Sequence, residues 1–450
     1  YSITPKPLTV SGITVSDRVY NGGTQATIGT GAATFAGLIS GDDVTIDFSS
    51  AVGTFDTKNV GTAKPVSLTG LRLAGTSSGN YSFASSSSLT GNITRLNSVT
   101  WTGAATGNWF DPANWAGGAV PDLANVANVV IPTGKTVSFG STVVAPAVAG
   151  TVQIDSLNAA GGQVGSLSLS AGTLQVGSGN VNLHSLAQTG GTFSVASDLS
   201  VADAFSQTAT GSIAVTGRAS LVDTSGGMAL GALTVGGDLT VQSQGGDITQ
   251  TTGTSLSVAG SSSLTARNSG VAASIVLADA GNNFQGAISL DGSQVTVHDT
   301  HALVLGRVVT TGHLDVVSGG PLTQTGPLQV SGTADLTATL GDITLTHASN
   351  NFMGAVTLSG ANISVRDSNA LPLGRLTSTG NVSLASNGNV TQTGPIAISG
   401  TTTISAGDGD ITLTDVSNDF TQALSVSGAN IRLHDAGALT LAALTSTGNA

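Results

Sequence analysis

Residues 354–421 read GAVTLSGANISVRDSNALPLGRLTSTGNVSLASNGNVTQTGPIAISGTTTISAGDGDITLTDVSNDFT. Val356-x-Leu358, Ile363-x-Val365 and Val382-x-Leu384 alternate apolar and polar positions, which puts every second side chain on one face of a strand. The stretch divides into 354–374, 375–394 and 395–421, and each unit reads as strand, Gly corner, strand, polar turn, strand. Three inward-facing strands in 20–21 residues describe one coil of a parallel β-solenoid, with coils stacked about 4.8 Å apart. The 68 residues are expected to make three coils, the last unit being longer because it carries an extra Asn-x-Phe loop.

The stretch is one copy of a repeat. Phe284, Phe352 and Phe420 lie 68 apart, as do Gly312, Gly380 and Gly448. Gln324-Thr325-Gly326-Pro327 returns as Gln392-Thr393-Gly394-Pro395, and Gly341-Asp342-Ile343-Thr344 as Gly409-Asp410-Ile411-Thr412. A fixed period of this kind marks a repeat architecture, here traced from about Gly286 to Ala450. Upstream, Gln188-Thr189-Gly190, Gln207-Thr208 and Gln250-Thr251 foreshadow it loosely. Residues 137–450 are therefore predicted to form a right-handed parallel β-helix of about 14 coils, a rod roughly 65–70 Å long at that spacing.

Composition agrees. Gly is 62 of 450 residues, about twice the usual share, and is expected to supply positive-φ corners. No apolar run approaches the roughly 18 residues of a spanning helix, so no membrane insertion is predicted. The chain has no Cys, which excludes disulfides and thiolate chemistry. All 25 acids are Asp, a turn residue where Glu favours helices. Residues 1–136 balance seven Lys and Arg against seven Asp, whereas 137–450 hold six Arg, no Lys and eighteen Asp. A nucleic-acid partner needs clustered cations and is excluded.

Residues 1–95 have another texture, with short alternating runs such as Leu8-x-Val10, Val44-x-Ile46 and Val66-x-Leu68 between turns. They predict a small β-sandwich-like module. Lys6-Pro7-Leu8-Thr9-Val10-Ser11-Gly12-Ile13, then Arg18-Val19-Tyr20-Asn21-Gly22-Gly23-Thr24, resemble the YDG module of filamentous-haemagglutinin-type bacterial adhesins. Gly41-Asp42-Asp43-Val44, Asp56-x-Lys58-Asn59-Val60-Gly61-Thr62 and Gly79-Asn80-Tyr81 come next in that family's order, although its Tyr-Asp-Gly-Thr is here Tyr20-Asn21-Gly22-Gly23-Thr24. Tyr1-Ser2-Ile3-Thr4-Pro5 resembles the tail of a preceding module, and Ser446-Thr447-Gly448-Asn449-Ala450 stops where Ser378-Thr379-Gly380-Asn381-Val382 continues. Both ends read as cuts in a longer, repetitive protein.

Residues 96–136 hold all three tryptophans, Trp101, Trp109 and Trp115. Exposed, they would form a platform for stacking sugars. Buried, they would cap the open end of the solenoid or start it, hiding apolar surface and unpaired strand edges.

Candidate chemistry is sparse. Asp299, Asp367 and Asp435 follow His298, Arg366 and His434 at one repeat position, about 14 Å apart if each repeat is three coils. That is too far for paired carboxylates of a glycosidase, and a turn role is expected. Asp408-Gly409-Asp410 lacks the ligand number calcium needs, and the six His lack zinc spacing. No catalytic residue, metal or cofactor is predicted. Phe284, Phe352 and Phe420 are read as anchors folded onto the coil, with an outward interaction ladder as the alternative. His298, Arg366 and His434 make a second candidate ladder.

The resemblance implies a non-enzymatic, secreted or cell-surface adhesin of a Gram-negative bacterium, exported through an outer-membrane transporter. Its partners would be a polysaccharide or host-surface ligand, or like chains. Two other readings stay open: a biofilm-matrix fibre acting by self-association, and a carbohydrate-active β-helix enzyme that uses Asp299 or Asp367.

Overall fold

The computed structural model describes residues 4–83, 88–132, 135–139, 151–154, 156–158, 166–169, 171–177 and 179–450. Tyr1-Ser2-Ile3 and much of the expected onset of the solenoid after 139 lie outside them. The chain is nearly all β, with a small β module preceding a parallel solenoid of about 14 turns.

The N-terminal module is built mainly from antiparallel pairs. Val52–Phe55, Gly61–Thr69 and Leu89–Thr94 form the centre of its larger sheet. Lys6–Ser11 pairs with Thr34–Ala36 antiparallel and with Tyr81–Phe83 parallel in a smaller one. Phe55 and Tyr20 are buried in the same continuous core as the tryptophans and the solenoid interior.

Parallel stacking begins at once after the module. Leu96–Thr100 lies on Val126–Val130, and Thr106–Asn108 on Thr136–Phe139. The tryptophan segment is thus itself an enlarged first coil, and the solenoid's hydrogen-bond ladder reaches back to Leu96.

From there the chain winds over three faces. Face A runs through Ile288–Gly292, residues 308–310 and Leu328–Val330. Face B runs through Val295–Asp299, Leu314–Ser318, Ala334–Ala338 and Val356–Gly360. Face C runs through residues 303–305, Leu322–Gln324, Ile343–Leu345 and Ile363–Asp367. On each strand the apolar residues point inward and are buried, as in the column Val295, Leu314, Ala334, Val356. Burying one Val or Leu side chain is worth roughly 1.5–3 kcal/mol, and the stack adds this gain coil by coil.

Two sequence expectations change here. The Asn-x-Phe element is not an extra loop, because Asn351–Phe352 is a short strand paired with Gln329 and Val330 on face A. With it counted, one 68-residue copy contains ten strand segments, and ten segments at three per coil make three and one third coils. The copy is therefore longer than the three coils expected by one face.

The glycines also do something else. Within 219–450 the only glycines with positive φ among the described residues are Gly253, Gly270 and Gly407. At the corner between faces A and B, a Cβ on Gly332 would lie 2.5 Å from the carbonyl oxygen of Gly312, and one on Gly354 would lie 2.3 Å from that of Gly332. These corners need Gly because successive coils touch there backbone to backbone, not because the chain turns left-handed.

Candidate functional site at the repeat motif and the junction

The extra third of a coil moves every repeated residue round the solenoid. Phe284 pairs on face C, Phe352 on face A and Phe420 on face B. The faces are continuous through these points: Thr300 N–H donates to the Asn282 carbonyl, Ser368 to Asn350 and Ala436 to Asn418. His298 sits in a face-B strand and Arg366 in a face-C strand, while His434 follows a face-A strand. Neither set is a ladder. Ten segments do not divide by three faces, so spacing in sequence is not stacking in space.

The phenylalanines are also fully buried, which removes them as an outward stripe. Each is fixed by the aspartate fifteen residues on: Phe284 N–H donates to Asp299 Oδ2 at 2.6 Å, Phe352 to Asp367 Oδ2 at 2.8 Å, and Phe420 to Asp435 Oδ1 at 3.0 Å. Asp299 and Asp367 each accept a second backbone N–H, from His301 and Asn369, both at 2.7 Å. Burial pushes both carboxyls above the usual carboxylate range, with the backbone donors opposing it. The carboxylates that the catalytic reading would pair thus lie on different faces, each occupied by the backbone.

A buried Asn paired with a half-buried Gln completes each copy. Asn350 Oδ1 accepts from Leu328 N–H at 3.0 Å and from Gln324 Nε2 at 2.8 Å, while its Nδ2 donates to Gln324 Oε1 and to the Leu345 carbonyl. Asn418 repeats this with Gln392, Ile396 and Leu413, and Asn282 with Gln250, Leu256 and Leu277. The Gln-Thr motif and the first Asn of Asn-x-Phe are thus two halves of one bracket. Their recurrence was visible in sequence, but the fact that they touch was not.

His298 and His313 stay at the surface, facing Asp315 at 3.4 Å and Asp335 at 3.5 Å on the next coils of face B. Arg366 and His434 are exposed.

The tryptophans are not a platform. Trp101, Trp109 and Trp115 are buried, with Trp115 meeting both others edge-on at 5.1 Å between centroids. Their indole N–H groups donate to the carbonyls of Ala104, Pro121 and Trp109. No ring face or donor is left for a sugar, because the cluster fills the core where module and solenoid meet.

That junction is polar at its rim. Tyr20 donates to the Val120 carbonyl at 2.8 Å and to Asp122 at 3.1 Å, and Asp122 also pairs with Lys58. Asn125 accepts from Val60 N–H and donates to Asn59 and Asp122. Burial and the Asp122 carboxylate push the Tyr20 hydroxyl well above the ordinary phenol range. Sequence reading missed this contact, since its partners lie about 65–100 residues apart.

Residues 4–88 match the model of the YDG domain family. The N-terminal module is a YDG domain. Beyond it, 219–291, 292–359 and 360–427 match a family described as repeats of unknown function (DUF5649). The repeat therefore starts a copy earlier than its fixed period shows, because 219–291 is longer than the other two and breaks the spacing. No curated protein and no solved structure matches the chain.

Proposed function

We propose that this chain is the stalk of a secreted or cell-surface bacterial adhesin, with a YDG domain fixed at one end of a repeat solenoid. The observation that carries this reading is how the repeat uses its chemistry. Its recurring Asp, Asn and Gln side chains hold coils together, and the copies differ in which side they face, so what the repeat supplies is length. The YDG domain and the resemblance of residues 6–81 to haemagglutinin-type exoproteins support export and surface display, with an outer-membrane transporter as export partner. The chain acts without catalysis and binds a polysaccharide, a host surface or like chains.

Beads coated with the purified chain test this. Attachment to cells or to extracted matrix above that of uncoated beads, from an extended monomer in small-angle scattering, is the expected result. Absence of attachment overturns the adhesive reading. Concentration-dependent lateral pairing with no attachment replaces it with a matrix fibre.

A further inference from the structure

A cavity of about 490 Å³ opens at the corner between faces A and B, on three successive coils. Its walls are Thr224 and Ser225 of one coil, Gln244 of the next, and Arg267, Asn268 and Ser269 of the third. The last wall is an insertion. Eight residues separate Ala266 from Ile275, where four separate Ala338 from Ile343 and Ala406 from Ile411. They form a hairpin in which Arg267 and Asn268 pair antiparallel with Ala272 and Val271 on one side. On the other side they pair with Gly246 and Gly245 of the coil before. Ser269 and Gly270, at φ of 50° and 85°, make its turn. Insertions on one corner of a solenoid are where repeat proteins commonly place recognition.

The notch is held in shape from beneath. The buried Asp223 carboxylate accepts from Ser225 N–H at 3.1 Å and Gly226 N–H at 2.7 Å, fixing the floor. Arg267 is tied at 2.7 Å to Asp291 and to the carbonyls of Ala266 and Asp291, so its charge is already matched. What faces the opening is therefore carboxamide and hydroxyl: Gln244, Asn268, Ser225 and Ser269, all exposed. Each of these groups both donates and accepts, which suits a ligand whose hydroxyls do the same. No aromatic ring and no carboxylate lines the cavity. A polyanion would find only a neutralised guanidinium within the half of the chain that carries the net negative charge. The volume lies within the range of small-ligand sites.

We propose that this notch binds a neutral glycan chain laid across the three coil corners. The proposal rests on the adhesive reading of the molecule and gives it one address.

The test uses the whole 450-residue chain. It is screened against neutral oligosaccharides (glucans, galactans, mannans and N-acetylhexosamine oligomers) by saturation-transfer NMR, with the coated-bead assay run in parallel. At least one neutral glycan is expected to bind. Gln244→Ala and Asn268→Ala together should weaken it roughly ten-fold or more, since each removes about one hydrogen bond. Deleting 267–270 should abolish it. Both single substitutions are at exposed positions, so an unchanged circular dichroism spectrum keeps them informative if the deletion fails to fold. Binding unaltered in the double variant, or bead attachment without any neutral-glycan signal, overturns the notch and leaves the adhesive reading standing. Loss of both signals in the unaltered chain overturns both.

Discussion

Asn350 shows how much one side chain carries here. Its single carboxamide bonds Leu328 N–H, the Leu345 carbonyl and both ends of the Gln324 amide. Asn350→Ala leaves the buried Leu328 N–H without its acceptor, at about 1–3 kcal/mol, and strips Gln324 of the amide facing it. Hydrogen exchange in the flanking coils should accelerate accordingly, and unchanged protection would contradict the bracket. Thr402 is the opposite case. It occupies an inward position between Val382 and Leu424, and its buried Oγ1 has no partner. Thr402→Val keeps the shape and removes that cost, so thermal unfolding should shift upward, by about 1 kcal/mol in stability. Asp367 adds a pH signature. Its two oxygens accept from two N–H groups, and an Asn there would set its own N–H₂ against one of them. Asp367→Asn should therefore destabilise. The native carboxyl is raised by burial, so its contribution is fully present below the unfolded pKa and is lost as pH rises through the folded one. The stability gap between native and variant chains should widen on acidification from neutral pH, and a pH-independent gap would refute this.

At the scale of elements, the short Asn-x-Phe strand decides the geometry. Two residues paired on the sheet turn nine segments into ten, and that alone rotates each copy by one face. Because the coil that receives each copy is itself equivalent, removal of one whole unit should be tolerated. Deleting 292–359 puts residues 360–427 where the lost copy stood, with every Gln–Asn bracket intact. The product is expected to be a folded, protease-resistant, shorter solenoid, and loss of cooperative β signal would count against the ladder of paired strands. The Trp segment is different in kind. It is an enlarged coil of 30 residues from Thr106 to Thr136, its interior filled by three rings instead of aliphatic columns. Strand periodicity identified the ordinary coils because alternation survives in short runs. It could not identify this one, where 3₁₀ turns at Pro112–Asn114 and Ala116–Gly118 interrupt the pattern.

For the whole molecule, the rotation is open to direct measurement. Spin labels placed by His298→Cys and Arg366→Cys would lie about 14 Å apart if each copy were three stacked coils. Since these sites are on faces B and C, the distance should be clearly longer. A distribution centred near the stacked value would restore the ladder. The same surface returns to one face only after three copies. A partner reading one side of the stalk thus meets three different parts of the repeat in succession. At the other end, Asp122 gathers Tyr20, Lys58 and Asn125. Asp122→Ala should loosen the YDG domain from the first coil without unfolding either. Small-angle scattering would then show a broader distribution of shapes, and an unchanged profile would make the rim contacts incidental to the buried Trp and Phe55 packing.

The sequence by itself determined the solenoid. Alternating apolar positions and polar turns are local properties, and with a parallel stack every coil solves the same packing problem as its neighbour. It also set the charge, the absence of Cys and the order of YDG module before repeat. Tertiary structure alone decided which repeated residues share a side, because that depends on the remainder when strands per copy are divided by strands per coil. A single miscounted strand, hidden in Asn351–Phe352, changes that remainder. It also decided which polar residues are interior, since Asn350, Asn418 and Asp367 look in sequence like any other turn residue. Their burial comes from a close approach between coils that no single coil encodes.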